Sequence, residues 1–172
     1  MDAEELRAVQ APIKERYRED AAAAVVTLSA TGDLEDGIAC SVRTGRALAA
    51  AGLHPASGGD GSLLCSGDML LEALVACAGV TLKAVATSLE VPLAGGTVVA
   101  EGELDFRGTL AVDRDAPVGF RDIRLRFDLE SDASDEQLAT LVRLTERYCV
   151  VLQTLRSAPS TAASYRRLAP GA

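Results

Sequence analysis

The chain has 172 residues, of which 48% are hydrophobic and 3% aromatic with no Trp, so one domain with a core of Leu, Val and Ala is expected. A formal net charge of −8 repels phosphate backbones, and the sequence has no basic patch with interleaved aromatics, so nucleic acid is set aside as a partner. The N-terminus is charged and lacks the apolar stretch of a signal peptide. The longest apolar segment, Met69 to Leu89, is interrupted by Glu72 and Lys83. A cytoplasmic protein without a membrane span is therefore expected.

In chain order, residues 2–19 read as a charged helix with Leu6, Val9 and Ile13 at helical spacing, an N-terminal helical extension over 1–20. "AAVVTLSATG" (23–32) predicts a strand, and "GIACSVRTG" (37–45) a second one punctuated by Gly37 and Gly45. "AAGLHPASGGDGSL" (50–63) is a Gly-rich loop without the spacing of a Walker or dinucleotide fingerprint, and reads as a surface loop of the kind that can border a site. Ser66 is the expected N-cap of a helix that carries Asp68 in its first turn and ends near Leu89, before Pro92. Leu70, Leu74, Cys77, Ala78 and Thr81 share one of its faces. Met69, Val75, Val80 and Val85 cover others, which predicts a helix buried in the core or in a subunit interface.

Two strands with one polar face each follow. Residues 97–106 place Val98, Ala100, Leu104 and Phe106 inside and Val99, Glu101, Glu103 and Asp105 outside. Residues 120–130 place Ile123, Leu125, Phe127 and Leu129 inside, with Asp122, Arg124, Arg126 and Asp128 outside. Antiparallel pairing sets the acids of the first against Arg124 and Arg126. "SDEQ" (134–137) is a capping box, and the helix it opens aligns Leu138, Leu141, Val142, Thr145, Tyr148 and Cys149 on one stripe. A short segment over 150–156 and a final strand over 159–168 complete a single α+β domain spanning 1–172.

Chemistry rests on the four cysteines, at 40, 65, 77 and 149. No Cys-x-x-Cys pair exists and there is one histidine, so no metal site and no cofactor is expected, and a reducing compartment argues against a disulfide framework. Packing is the default for a free cysteine, and Cys40, in a strand, keeps that reading. Cys77 and Cys149 differ, because each sits on the apolar face of its own helix. With 71 residues between them, only tertiary packing brings them together.

"GDMLLEALVACAGVTLKAVA" (67–86) followed by "LATLVRLTERYCVVLQTLR" (138–156) resembles the OsmC/Ohr family, the osmotically inducible protein C and organic hydroperoxide resistance proteins, best from Ser66 to Arg156. The resemblance implies an intertwined homodimer in which antiparallel sheets wrap long central helices. It implies a thiol peroxidase in which Cys77 attacks the peroxide bond and Cys149 resolves the sulfenic acid as a disulfide. The substrate would be an organic hydroperoxide, and a dithiol reductant of lipoyl type would restore the thiols. Cys65 matches neither thiol of that pair.

A buried thiol needs help to ionise. Cys77 stands about 16 Å beyond Ser66, too far for the helix dipole to act alone. The family supplies an early arginine held by a glutamate ten residues before the first cysteine. Arg43 and Arg46 lie in the matching region, but the position of the acid is Gly67. Asp68 falls about 180° and Glu72 about 140° round the helix from Cys77. Two alternatives stand beside the peroxidase. One is a small-molecule or thiol-binding member of the same fold with a slowly reacting Cys77. The other is a cysteine hydrolase or acyl transferase, for which His54 is the sole histidine base.

Overall fold

The computed structural model describes residues 3–35, 39–42, 51–62, 64–165 and 167. Gly37, Gly45, Arg43 and Arg46 lie outside them. The chain opens with helix α1, Ala3–Glu19. Its anchor is Tyr17, which the apolar spacing did not single out. Tyr17 is fully buried among Ile13, Ala24, Phe106 and Leu110, and its hydroxyl donates to the Ala56 carbonyl at 2.7 Å. Val9, on the same side at helical spacing, is 39% exposed.

Residues 21–24, whose second half was predicted as strand, form a single 3-10 turn because the Asp20 carboxylate accepts the Ala22 N–H at 3.0 Å. The strand proper is β1, Val25–Glu35. It sits inside a four-stranded antiparallel sheet of order β2-β1-β5-β6, with β2 at Ala39–Val42, β5 at Gly95–Asp105 and β6 at Phe120–Glu130. In the Gly-rich region two-residue strands β3 (Ala51–Gly52) and β4 (Leu64–Cys65) pair in parallel, so the predicted loop is partly tied down.

The β5–β6 register opposes Val98 to Phe127 and Glu101 to Arg124, as the alternation predicted. Arg124 reaches Glu103 at 2.6 Å, whereas Arg126 pairs along its own strand with Asp128 at 3.1 Å. Gly102 is needed where it stands: a Cβ there would lie 2.6 Å from the Phe120 ring, which folds over it. β5 ends one residue earlier than predicted. Phe106 begins the short helix α3, Phe106–Thr109, and Asp105 is buried rather than outward. The cause is local: the Asp105 carboxylate caps α3 through the Arg107 N–H at 3.1 Å and holds the Arg107 guanidinium at 2.6 Å.

The long helix α2, Ser66–Ser88, crosses the inner face of the sheet. Its N-cap is Cys65, not Ser66, with the sulfur accepting the Gly67 N–H at 3.4 Å. Length and composition would suit a membrane span, yet Leu71, Leu74, Val75, Ala78 and Leu82 are buried within the protein. Within one chain the burial is partial: Leu70 and Val80 are 37% and 41% exposed, and Ala73 and Ala84 are exposed with them. These four positions, with Cys77 between them, recur at spacings of three and four and form one uncovered stripe.

Helix α4, Asp135–Tyr148, starts with the predicted capping box, Gln137 N–H to Ser134 Oγ at 3.3 Å and Ser134 N–H to Gln137 Oε1 at 3.0 Å. Residues Val150–Arg156 form helix α5. The strand predicted over 159–168 is absent among the described residues.

Candidate active site

Among the described residues three hydrophobic clusters fill the interior, and one of them contains both cysteines singled out in the sequence. Cys149 and Cys77 pack there with Leu74, Ala78, Val98 and Leu152. Cys77 is half-buried at the centre of α2; Cys149 is fully buried. α2 lies against both α4 and α5, so the tertiary packing that the pair required is present.

Cys149 is not the last residue of α4's apolar face, as the periodicity had placed it. It adopts an extended conformation, φ −69° and ψ 106°, and separates α4 from α5. Its N–H closes α4 on the Thr145 carbonyl, and its own carbonyl opens α5 by accepting from Gln153, each at 2.9 Å. Tyr148 consequently swings outward and is 56% exposed. The break has a chemical consequence. The first N–H groups of a helix have no acceptor within it, and those of Val151 and Val150 are turned toward Cys77.

The two thiols lie within hydrogen-bonding reach of one another and are shifted in opposite directions. Burial pushes Cys77 up, but the Val151 N–H, the Cys149 thiol, the Val150 N–H and the Thr81 hydroxyl outweigh it, and the net shift is downward. Burial pushes Cys149 up to about 11, reinforced by the charge of Cys77 and only partly offset by the Leu152 N–H. The pair is thus set apart, Cys77 moved toward ionisation and Cys149 away from it. Sequence reasoning singled out both cysteines and placed Thr81 on the Cys77 face without giving it a role, but missed the two backbone donors, because nothing in the alternation of residues 138–156 marks a helix break at Cys149.

The remaining residues weighed from sequence fall elsewhere. Gly67 offers its N–H to Cys65 and no acid. Burial raises the Asp68 carboxyl, opposed by His54; burial and then the charge of Asp68 raise Glu72. His54 Nδ1 accepts the Ala56 N–H at 3.0 Å and its ring stacks on Phe106 at 5.0 Å, so the nitrogen that would serve as base is engaged by backbone. Cys40 sits in β2 opposite Leu34.

Two open clefts adjoin this cluster. One, of about 640 Å³, runs between β6 and α5 over Phe120, Ile123, Leu125, Leu152 and Leu155, with Arg121 and Arg156 at its sides. The other, of about 380 Å³, holds Cys65 and His54 and shares Leu70, Gly119 and Phe120 with the first.

The sequence model of the OsmC-like proteins matches residues 59–164, the span that carries α2, the sheet strands β5 and β6, and both thiols. The chain belongs to the OsmC-like family. Its fold is similar to the crystal structure of an OsmC-like hydroperoxide resistance protein from Jannaschia sp. CCS1, with a TM-score of 0.60 and 17% sequence identity over 84% of this chain and 95% of that one. No curated protein matches the chain. At that identity the likeness establishes an OsmC-like fold, and α1 falls outside the matched span.

Proposed function

We propose that this OsmC-like protein is a cytoplasmic thiol peroxidase that reduces organic hydroperoxides through Cys77 and Cys149. The observation that carries the reading is the pair itself: two cysteines packed in one cluster, the half-buried one shifted toward easier ionisation and the buried one away from it. The Cys77 thiolate attacks the terminal peroxide oxygen, the O–O bond breaks, and the alkoxide leaves as the alcohol after taking a proton. Cys77 is then a sulfenic acid. The Cys149 sulfur, delivering its proton, displaces hydroxide from that sulfur; water leaves and a Cys77–Cys149 disulfide forms. A dithiol of lipoyl type returns both thiols by two exchange steps and is itself oxidised to its cyclic disulfide. The hydroperoxide resistance protein of similar fold supports this class of substrate.

A homodimer belongs to the proposal. Leu70, Ala73, Val80 and Ala84 leave on α2 an exposed stripe of apolar and small side chains, the kind of surface on which a second helix packs closely. Cys77 lies in that stripe, so a second copy seated there would close over the reactive sulfur and exclude water from it.

A second reading, a small-molecule or thiol-binding protein of the same fold with a slow Cys77, is favoured by one observation. The groups that lower Cys77 are uncharged donors, and the expected acid position is Gly67. Steady-state turnover of cumene hydroperoxide with dihydrolipoamide separates the two. The peroxidase reading expects turnover that vanishes in Cys77→Ser; stoichiometric oxidation without turnover would establish the second reading in its place.

A further inference from the structure

Helix α4 stops at Tyr148 and α5 starts at Val150, yet the local sequence holds no residue that breaks a helix. From Asp135 to Arg156 the chain has neither proline nor glycine. A sharp interruption without them calls for a group inserted into the ladder of backbone hydrogen bonds. In a continuous helix the Val150 N–H would bond the Glu146 carbonyl, and the Val151 N–H the Arg147 carbonyl. Here the Glu146 carbonyl accepts the side-chain amide of Gln153 at 2.8 Å. Cys149 is extended, and helical bonding resumes with the Gln153 N–H on the Cys149 carbonyl.

A second tie spans the same break. Arg156 meets the Glu146 carboxylate through Nη2 at 3.3 Å and Nη1 at 3.4 Å. Both partners stand well into solvent, so this ion pair carries little weight. The Gln153 amide differs in kind, because it fills the one acceptor that would draw the Val150 N–H back into the helix. With that acceptor taken, the Val150 and Val151 N–H groups face Cys77. Among the described residues the other groups acting on Cys77 are Cys149 and, from its own helix, Thr81; none is a charged side chain.

We propose that Gln153 is a positioning residue for Cys77: its side chain takes the Glu146 carbonyl in place of the Val150 N–H, holds the chain open at Cys149 and keeps the freed N–H groups on the Cys77 sulfur. Gln153 acts through the backbone and touches neither sulfur. The proposal rests on the peroxidase reading only in making Cys77 the thiol that meets peroxide.

The test is alkylation of the full chain with iodoacetamide at pH 7 and pH 10, with peptide mapping to follow Cys77 alone. The ratio of the two rates, taken within each variant, cancels changes in access to the sulfur. Gln153→Met keeps the length and helix propensity of the side chain and removes its donors. The pH 7 to pH 10 ratio is expected to fall about two- to tenfold in it, the weight of one neutral hydrogen bond. Gln153→Lys restores a donor and should recover most of the ratio, read in 500 mM salt so that the added charge is screened. Thr154→Ala removes a side-chain bond to the Val150 carbonyl that stays within α5, and should leave the ratio unchanged. An unchanged ratio in Gln153→Met, an equal fall in Thr154→Ala, or no recovery in Gln153→Lys overturns the proposal. Alkylation needs no peroxide, so turnover of cumene hydroperoxide reads the peroxidase chemistry separately. A ratio that falls in Gln153→Met without any turnover by the native chain sinks the peroxidase and leaves the positioning role; turnover with an unaltered ratio does the reverse.

Discussion

Asp105 is the buried carboxylate on which the wall of the cleft depends, and replacing it should be costly. It is 1% exposed and ends β5, and its two oxygens meet four donor contacts from Arg107: the backbone N–H at 3.1 Å, Nε at 3.0 and 3.2 Å, and Nη2 at 2.6 Å. Arg107 continues to Asp113 at 3.1 Å, so the turn from α3 toward Gly119 and Phe120 is stapled at one point. Asp105→Ala removes an N-cap and leaves the Arg107 guanidinium, only 22% exposed, with Asp113 as its remaining carboxylate. Removing one partner of a buried pair costs about 3–5 kcal/mol, which in a protein of this size lowers Tm by about 6–20 °C. The guanidinium can turn partly toward water, so the lower half of the range is expected. Burial and hydrogen bonding also predict a pH effect. The Arg107 side chain, ahead of opposing burial, holds the Asp105 carboxyl below its usual value. Its contribution to stability is therefore present above the unfolded carboxylate pKa and lost as pH falls through the lower, folded value. Urea titrations of the native chain and Asp105→Ala at pH 7, and of the native chain and Asp105→Asn at pH 7 and pH 3, measure the two effects. A loss under 1 kcal/mol at pH 7, or an unchanged difference between the variants at the two pH values, would refute the reasoning.

Four further outcomes are expected. At pH 8 iodoacetamide should label Cys77 well ahead of Cys149, whose thiol is pushed up to about 11, and mass mapping of the labelled peptides checks the order. Thr81→Val removes one of the donors that lower Cys77, so its labelling at pH 7 should slow, measured by the same peptide mapping. Gly102→Ala drives a methyl into the Phe120 ring and the Asp122 carbonyl and should cost about 1–3 kcal/mol by thermal denaturation. Val80→Asp, on the exposed stripe of α2, should leave the helix content unchanged by circular dichroism while light scattering reports a monomer; a dimer that survives it would put the interface elsewhere.

What the sequence made legible follows from which interactions are periodic. The alternation of residues 120–130 gave the facing of β6, and the Ser134–Gln137 box gave the start of α4, because period-two pleating and a capping box are local rules. The N-terminus of α2 was misplaced by one residue, since a thiol rather than a hydroxyl accepts the first N–H. Asp105 and Tyr17 were missed for a different reason: each is buried by a partner that sequence spacing does not announce, Arg107 two residues on and the Ala56 carbonyl across the chain. The thiol pair was singled out through the family resemblance and through the apolar faces carrying each cysteine; its activation was sought in Arg43 or Arg46, which lie outside the described residues, and in an acid near Gly67. The donors turned toward Cys77 are the Val150 and Val151 N–H groups freed by the break at Cys149, and backbone donors leave no trace in side-chain pattern.

The central claim is a connectivity, so the decisive measurement is peptide mapping of the chain after one equivalent of cumene hydroperoxide. The account predicts a single Cys77–Cys149 disulfide, with Cys65 and Cys40 still free, and a persistent sulfenic acid on Cys77 in Cys149→Ser. A Cys65–Cys77 bridge, or four free thiols after hours of exposure, would contradict it.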